Sequence, residues 1–83
     1  MNQIARSPRQ IGNLIQKHRK MSGMSQTEFA ARAGLRQELV SKIENGQEGS
    51  KISSICDLLA ALDLEMTIGP RTKGSSVNIE DIF

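Results

Sequence analysis

Ser25-Gln26-Thr27-Glu28-Phe29-Ala30-Ala31-Arg32-Ala33-Gly34-Leu35-Arg36-Gln37-Glu38-Leu39-Val40-Ser41-Lys42-Ile43-Glu44-Asn45-Gly46 reads as two short helices separated by one glycine. Ser25 is placed to cap the first helix, and Glu28 three residues later completes a capping box. Phe29, Ala30 and Ala33 recur at helical spacing and form the inward stripe. Gly34 ends this helix, because a left-handed residue after the last turn costs glycine nothing. Leu35 turns back into the core, Val40 and Ile43 continue the apolar face on the second helix, and Asn45-Gly46 ends it. Arg36, Gln37, Glu38, Ser41 and Lys42 are left facing outward, and their chemistry suits base edges and phosphates. Two short helices joined by a tight turn form the layout that puts a helix end into the DNA major groove.

Upstream, Ser7-Pro8-Arg9-Gln10 reads as a cap, a first-turn proline and a capping-box glutamine. The helix that follows is expected to bury Ile11, Leu14, Ile15 and His18, to expose Gln16, Lys17 and Lys20, and to close at Gly23. Residues 1–6 carry no pattern and read as a flexible arm. Downstream, a turn spans Asn45 to Gly49. A fourth helix over 52–62 is expected to bury Ile52, Ile55, Leu58, Leu59 and Leu62, with Ser50 and Ser53 both acceptable caps. Leu64-Glu65-Met66-Thr67-Ile68 alternates with period two and is ended by Gly69-Pro70, the signal of a short strand. A lone strand leaves its backbone groups unpaired. Val77 to Ile79 offers one partner; the stronger candidate is the same strand of a second copy, paired antiparallel about a twofold axis. Residues 69–83, rich in Gly, Ser, Arg and Lys, read as a disordered tail. Its ending, Ile79-Glu80-Asp81-Ile82-Phe83, is a docking peptide, a degradation signal or a frayed end.

At 83 residues the chain forms one small domain near the lower edge of what a single core stabilises. It has no tryptophan or tyrosine and two phenylalanines, so the core must be aliphatic, and burying further surface in a dimer would help. Cys56 is the single cysteine, which excludes an internal disulfide and most cysteine metal sites. On an apolar helix face it is expected to be a buried, inert thiol. No apolar run reaches the length of a membrane span. The N-terminus lacks the apolar core of a signal peptide, so a cytoplasmic protein without membrane contact is expected.

The net charge of +2 hides a division along the chain. Residues 1–42 carry eight Lys or Arg against Glu28 and Glu38, a net of +6, whereas residues 43–83 carry a net of −4. A charge so polarised suggests that the N-terminal half faces a polyanion. No nucleophile–base pairing, phosphate-cradling loop or paired catalytic carboxylates can be found, so neither an enzyme nor a cofactor is expected. No catalytic residue and no metal ligand is assigned. His18, the only histidine, reads as a packing side chain.

Met24-Ser25-Gln26, Phe29-Ala30, Gly34-Leu35, Val40-Ser41 and Ile43-Glu44-Asn45-Gly46 all fall in register with the helix-turn-helix of the Xre/Cro repressor superfamily, which the chain resembles. With Leu64 to Ile68 following the last helix, the resemblance extends over residues 8–68 to HipB-like antitoxins, which add a short strand there. It implies an all-α fold: a four- to five-helix, lambda-repressor-like helix-turn-helix domain over residues 7–68. Its C-terminal β-strand, 64–68, would form an intermolecular ribbon in a homodimer through Leu64, Met66 and Ile68. Gln26 and Gln37 match positions that meet DNA in the superfamily, and a glutamine amide suits the N7 and N6 edge of adenine. Thr27 joins the same set. Arg36 and Lys42 are placed for a guanine edge or flanking phosphates, and Ser41 is small enough to let the helix sit close. Asn45 and the Gly46 backbone are expected on phosphate. Glu38 departs from the usual small residue; it accepts from cytosine N4 or pairs with Arg36 or Lys42. Arg19 and Glu44 match a pair that links the first and third helices in the superfamily.

The resemblance implies a sequence-specific repressor that binds a palindromic double-stranded operator and regulates its own operon. It also implies a HipA-like serine/threonine kinase toxin as partner, bound through the acidic C-terminal half. Two other readings stand beside it: a standalone phage-like regulator, and a protein-interaction module with weak DNA binding. Leu39, where many relatives carry a polar residue, gives weight to the last.

Overall fold

The computed structural model describes residues 3–71, and its architecture follows from where each helix is capped. The helices are α1 (Pro8–Met21), α2 (Gln26–Ala33), α3 (Gln37–Glu44) and α4 (Ile52–Ala61). Ser7 caps α1 by accepting from the Gln10 N–H at 3.2 Å, with Pro8 in the first turn. The expected capping box there is incomplete: Gln10 Oε1 reaches past Ser7 and accepts from the Arg6 N–H. At α2 the box is reciprocal, with Glu28 N–H donating to Ser25 Oγ at 3.1 Å and Ser25 N–H to Glu28 Oε1 at 2.9 Å. Gly34 follows with φ of 74°, and Leu35 N–H donates back to the Ala30 carbonyl at 2.9 Å. That bond closes the turn and aims Leu35 at the core.

Neither α3 nor α4 has a side-chain cap; Arg36 and Lys51 occupy the capping positions. The expected caps Ser50 and Ser53 therefore do not cap α4, and Ser54 is instead buried. The helix ends one residue before the expected Leu62, and Asp63 takes a left-handed φ of 59° while Leu64 N–H returns to the Leu59 carbonyl at 2.8 Å. Aspartate tolerates this region better than most residues.

Phe29, Val40 and Leu58 are fully enclosed, and Ile15, Ala30 and Ile43 complete a core in which α2 packs on α3 and α4 and α1 packs on α3. Two burial expectations for α4 also fail. Ile52 is 72% exposed, and Cys56 is exposed rather than buried. At about 100° per residue, Cys56 points nearly opposite Leu58, and Ile52 lies off the buried face in the first turn. Ile55, Leu59 and Leu62 do pack against the core.

Residues 64–68 form no strand in the single chain, and 65–71 make no backbone hydrogen bond to another described residue. The physical reason is the one that made the segment conspicuous: a strand needs a neighbour, and no other strand exists among the described residues. The Val77 to Ile79 candidate and the apolar-acidic ending lie outside the described residues. Of the arm, Gln3 bonds His18, with Oε1 and Nε2 3.1 Å apart.

Candidate nucleic-acid interface

Behind α3 lies a buried electrostatic clamp. Arg19 of α1 donates through Nε to Glu44 Oε2 at 2.7 Å and through Nη2 to Glu44 Oε1 at 3.1 Å. Its Nη1 holds the Met24 carbonyl at 2.8 Å. The Glu44 side chain has no exposed surface, and Gln26 Nε2 supplies its third donor at 3.0 Å. A buried carboxylate is tolerated only when its lone pairs are met in this way. The consequence is geometric: α1, the start of α2 and the end of α3 are fixed to one another through a single carboxylate.

The same clamp decides the placement of the expected site residues. Gln26 is half-buried with its amide N–H turned inward onto Glu44, so it does not present both ends outward. Thr27, Arg36, Gln37, Glu38, Lys42 and Asn45 are exposed, and Ser41 is half-exposed. Gln37, Glu38, Ser41 and Lys42 line one open concavity on the outer face of α3. Thr27 Oγ1 donates to Gln37 Oε1 at 3.2 Å. This bond, which the sequence does not announce, fixes the glutamine carbonyl and leaves its NH₂ group directed away from Thr27. Glu38 makes no ion pair with Arg36 or Lys42 among the described residues. Its place in the first turn of α3 complements the positive end of the helix dipole.

Because α3 has no side-chain cap, its first amide N–H groups stay open, as do those of Gln26 and Thr27 at the start of α2. Open N–H groups at helix starts suit phosphate oxygens. Around them Arg36 and Lys42 are exposed, whereas Arg19 is spent on Glu44. Asn45 caps the end of α3, and Gly46 follows with φ of 79°.

One structural residue went unread. Gly12 in the middle of α1 is buried, and a Cβ there would collide with the carbonyl oxygens of Ile43 and Glu44. A glycine inside an otherwise amphipathic helix is a sequence signal of close approach; here it seats α1 on the end of α3. Leu39, in contrast, is half-buried and packs against the core, so it offers no outward apolar handle. Of the expected pairing residues, Leu64 is half-buried, Met66 is 54% exposed and Ile68 stands fully clear of the chain. Leu64 and Met66 edge a groove with Gln3, Leu14 and His18.

A helix-turn-helix family model matches residues 15–68. HipB antitoxins of Escherichia coli K12 and of Escherichia coli O6:H1 are each 31% identical over 62 residues, which is 75% of this chain. The match spans 70% and 66% of those two proteins, about two thirds of their length. Among solved structures, one described as a HipB-O4 20mer complex and one as a HipA-HipB-O2-O3 complex superpose with a TM-score of 0.77 at 29% identity. Each covers 83% of this chain and 97% of the other. No helix among the described residues is long and apolar enough to cross a membrane.

Proposed function

Since the chain belongs to the helix-turn-helix family of Xre type, with HipB antitoxins among its relatives, we propose that it is a sequence-specific, homodimeric DNA-binding repressor. The observation that carries this is the outward face of α3, where Gln37, Ser41 and Lys42 share one open concavity. Gln37, steadied by Thr27, contacts a base edge in the major groove. Arg36 and Lys42 engage a guanine edge or phosphates, Asn45 a phosphate, and the first amides of α2 beside Gln26 a further phosphate. Glu38 sits at the rim; with no cation held, it is free to accept from a cytosine amine.

Two copies pair through residues 64–68, where unpaired backbone groups and the exposed Met66 and Ile68 support an antiparallel ribbon with Leu64 facing inward. A twofold dimer requires a palindromic operator with half-sites about 34–36 Å apart or a multiple of it. By its likeness to HipB, the protein represses its own operon and neutralises a HipA-like kinase, which meets the acidic exposed residues Glu48, Asp57, Asp63 and Glu65.

Fluorescence anisotropy with a duplex from the upstream promoter and a scrambled duplex of equal length tests the regulator reading. Preference for the promoter duplex, with affinity falling steeply as salt rises, supports it. Equal affinity for both duplexes, or binding indifferent to salt, contradicts it.

A further inference from the structure

Arg9 stands one helical turn before Gly12 on α1, on the face that meets the end of α3. Its backbone passes directly over Gly46: a Cβ on that glycine would lie 2.6 Å from Arg9 Cα and 3.1 Å from Arg9 Cβ. Gly46 therefore has two reasons to be glycine, its φ of 79° and the approach of Arg9. The Arg9 side chain leaves from the edge of this contact, is exposed, and makes no hydrogen bond or ion pair to a described residue. Two glycines thus seat the Arg9 backbone against Gly46, the residue after Asn45 and one helical turn beyond Lys42, with a side chain that has no partner among the described residues.

We infer that Arg9 is a DNA-phosphate contact delivered from α1, which extends the track of Lys42 and Asn45 beyond the helix-turn-helix itself. The inference rests on the regulator reading. Guanidinium suits a phosphate because its planar fork offers paired donors. Bound this way, Arg9 adds affinity without reading sequence, since phosphate contacts position a protein and carry no base information. The competing role is purely intramolecular: a cation near the C-terminal carbonyls of α3 stabilises the helix through its dipole. The two roles differ in what they do to salt dependence and to melting.

The experiment compares the full chain with Arg9→Gln, Arg9→Lys and, as an equal charge change further along α1, Lys17→Gln. The probe is a duplex that the wild type prefers over a scrambled one, titrated between about 50 and 200 mM salt. For Arg9→Gln the plot of log affinity against log salt is expected to flatten by about one unit per protomer bound. The preference for the specific duplex and the melting temperature should hold, Arg9→Lys should regain most of the slope, and Lys17→Gln should keep the wild-type slope. An unchanged slope in Arg9→Gln overturns the inference. So does an equal loss in Lys17→Gln, which would mark a bulk-charge effect, or a lost duplex preference, which would mark a base contact. A fall in melting temperature without a change in slope assigns Arg9 to the helix dipole and overturns it as well. Wild type that prefers no duplex defeats the regulator reading instead, which keeps the two failures apart.

Discussion

Glu44 accepts three donors from two side chains, Arg19 and Gln26, while its own side chain is shut off from solvent. Removing Arg19 leaves that carboxylate buried and uncompensated, so Arg19→Ala is expected to lose about 3–5 kcal/mol of stability. Urea unfolding measures this; a midpoint equal to wild type would contradict it. Arg19→Lys recovers only part, because one ammonium cannot replace the Nε–Nη2 fork on both carboxylate oxygens. Gln37 behaves oppositely: it is exposed, so Gln37→Ala should leave melting unchanged yet weaken discrimination at one base pair by about 1–3 kcal/mol. Thr27→Val should move binding in the same direction, since it releases the Gln37 carbonyl. The Arg19–Glu44 pair was legible through family resemblance. The inward turn of Gln26 was not: a glutamine at a helix start reads identically whether it faces a base or a buried carboxylate.

The helices differ in how plainly their limits are written. Ser25, Glu28 and Gly34 mark both ends of α2 because each forms a specific local hydrogen bond or backbone conformation. α4 begins at Ile52, after Lys51 at the capping position with no side-chain cap, so nothing in the local chemistry distinguishes its start from one capped by Ser50 or Ser53. The rather apolar run of α4 hides its orientation too, which is why Ile52 and Cys56 read as buried and are exposed. Gly12 offers the sharpest test at this scale. Gly→Ala inside a helix normally gains up to about 1 kcal/mol, whereas forcing a methyl into packed surroundings costs about 1–3 kcal/mol. The obstacles at Gly12 are two backbone carbonyls of α3, which cannot swing aside as a side chain does. Gly12→Ala should therefore lower the melting temperature, and a rise would show that α1 is not seated directly on α3.

A single copy leaves Met66 and Ile68 exposed and residues 65–71 without backbone partners among the described residues. The alternating pattern of 64–68 was readable in the sequence, but the proposed pairing with a second copy is not something a single chain can display. Met66→Glu combined with Ile68→Glu should convert a dimer to a monomer in sedimentation equilibrium, because like charges facing each other across a ribbon oppose pairing. A dimer that survives both changes would move the interface elsewhere. In the proposed dimer, pairing would also set the spacing of the two α3 helices, and through it the shape of the DNA site. Selection of the full-length protein against a pool of random duplexes tests this most directly. The account predicts enrichment of a twofold-symmetric site, with half-site centres one helical turn or a multiple apart, and loss of preference at one base pair per half-site when Gln37→Ala is selected in parallel. A pool with no enriched sequence, or identical sites for Gln37→Ala and wild type, would contradict the claim that the outward face of α3 reads DNA.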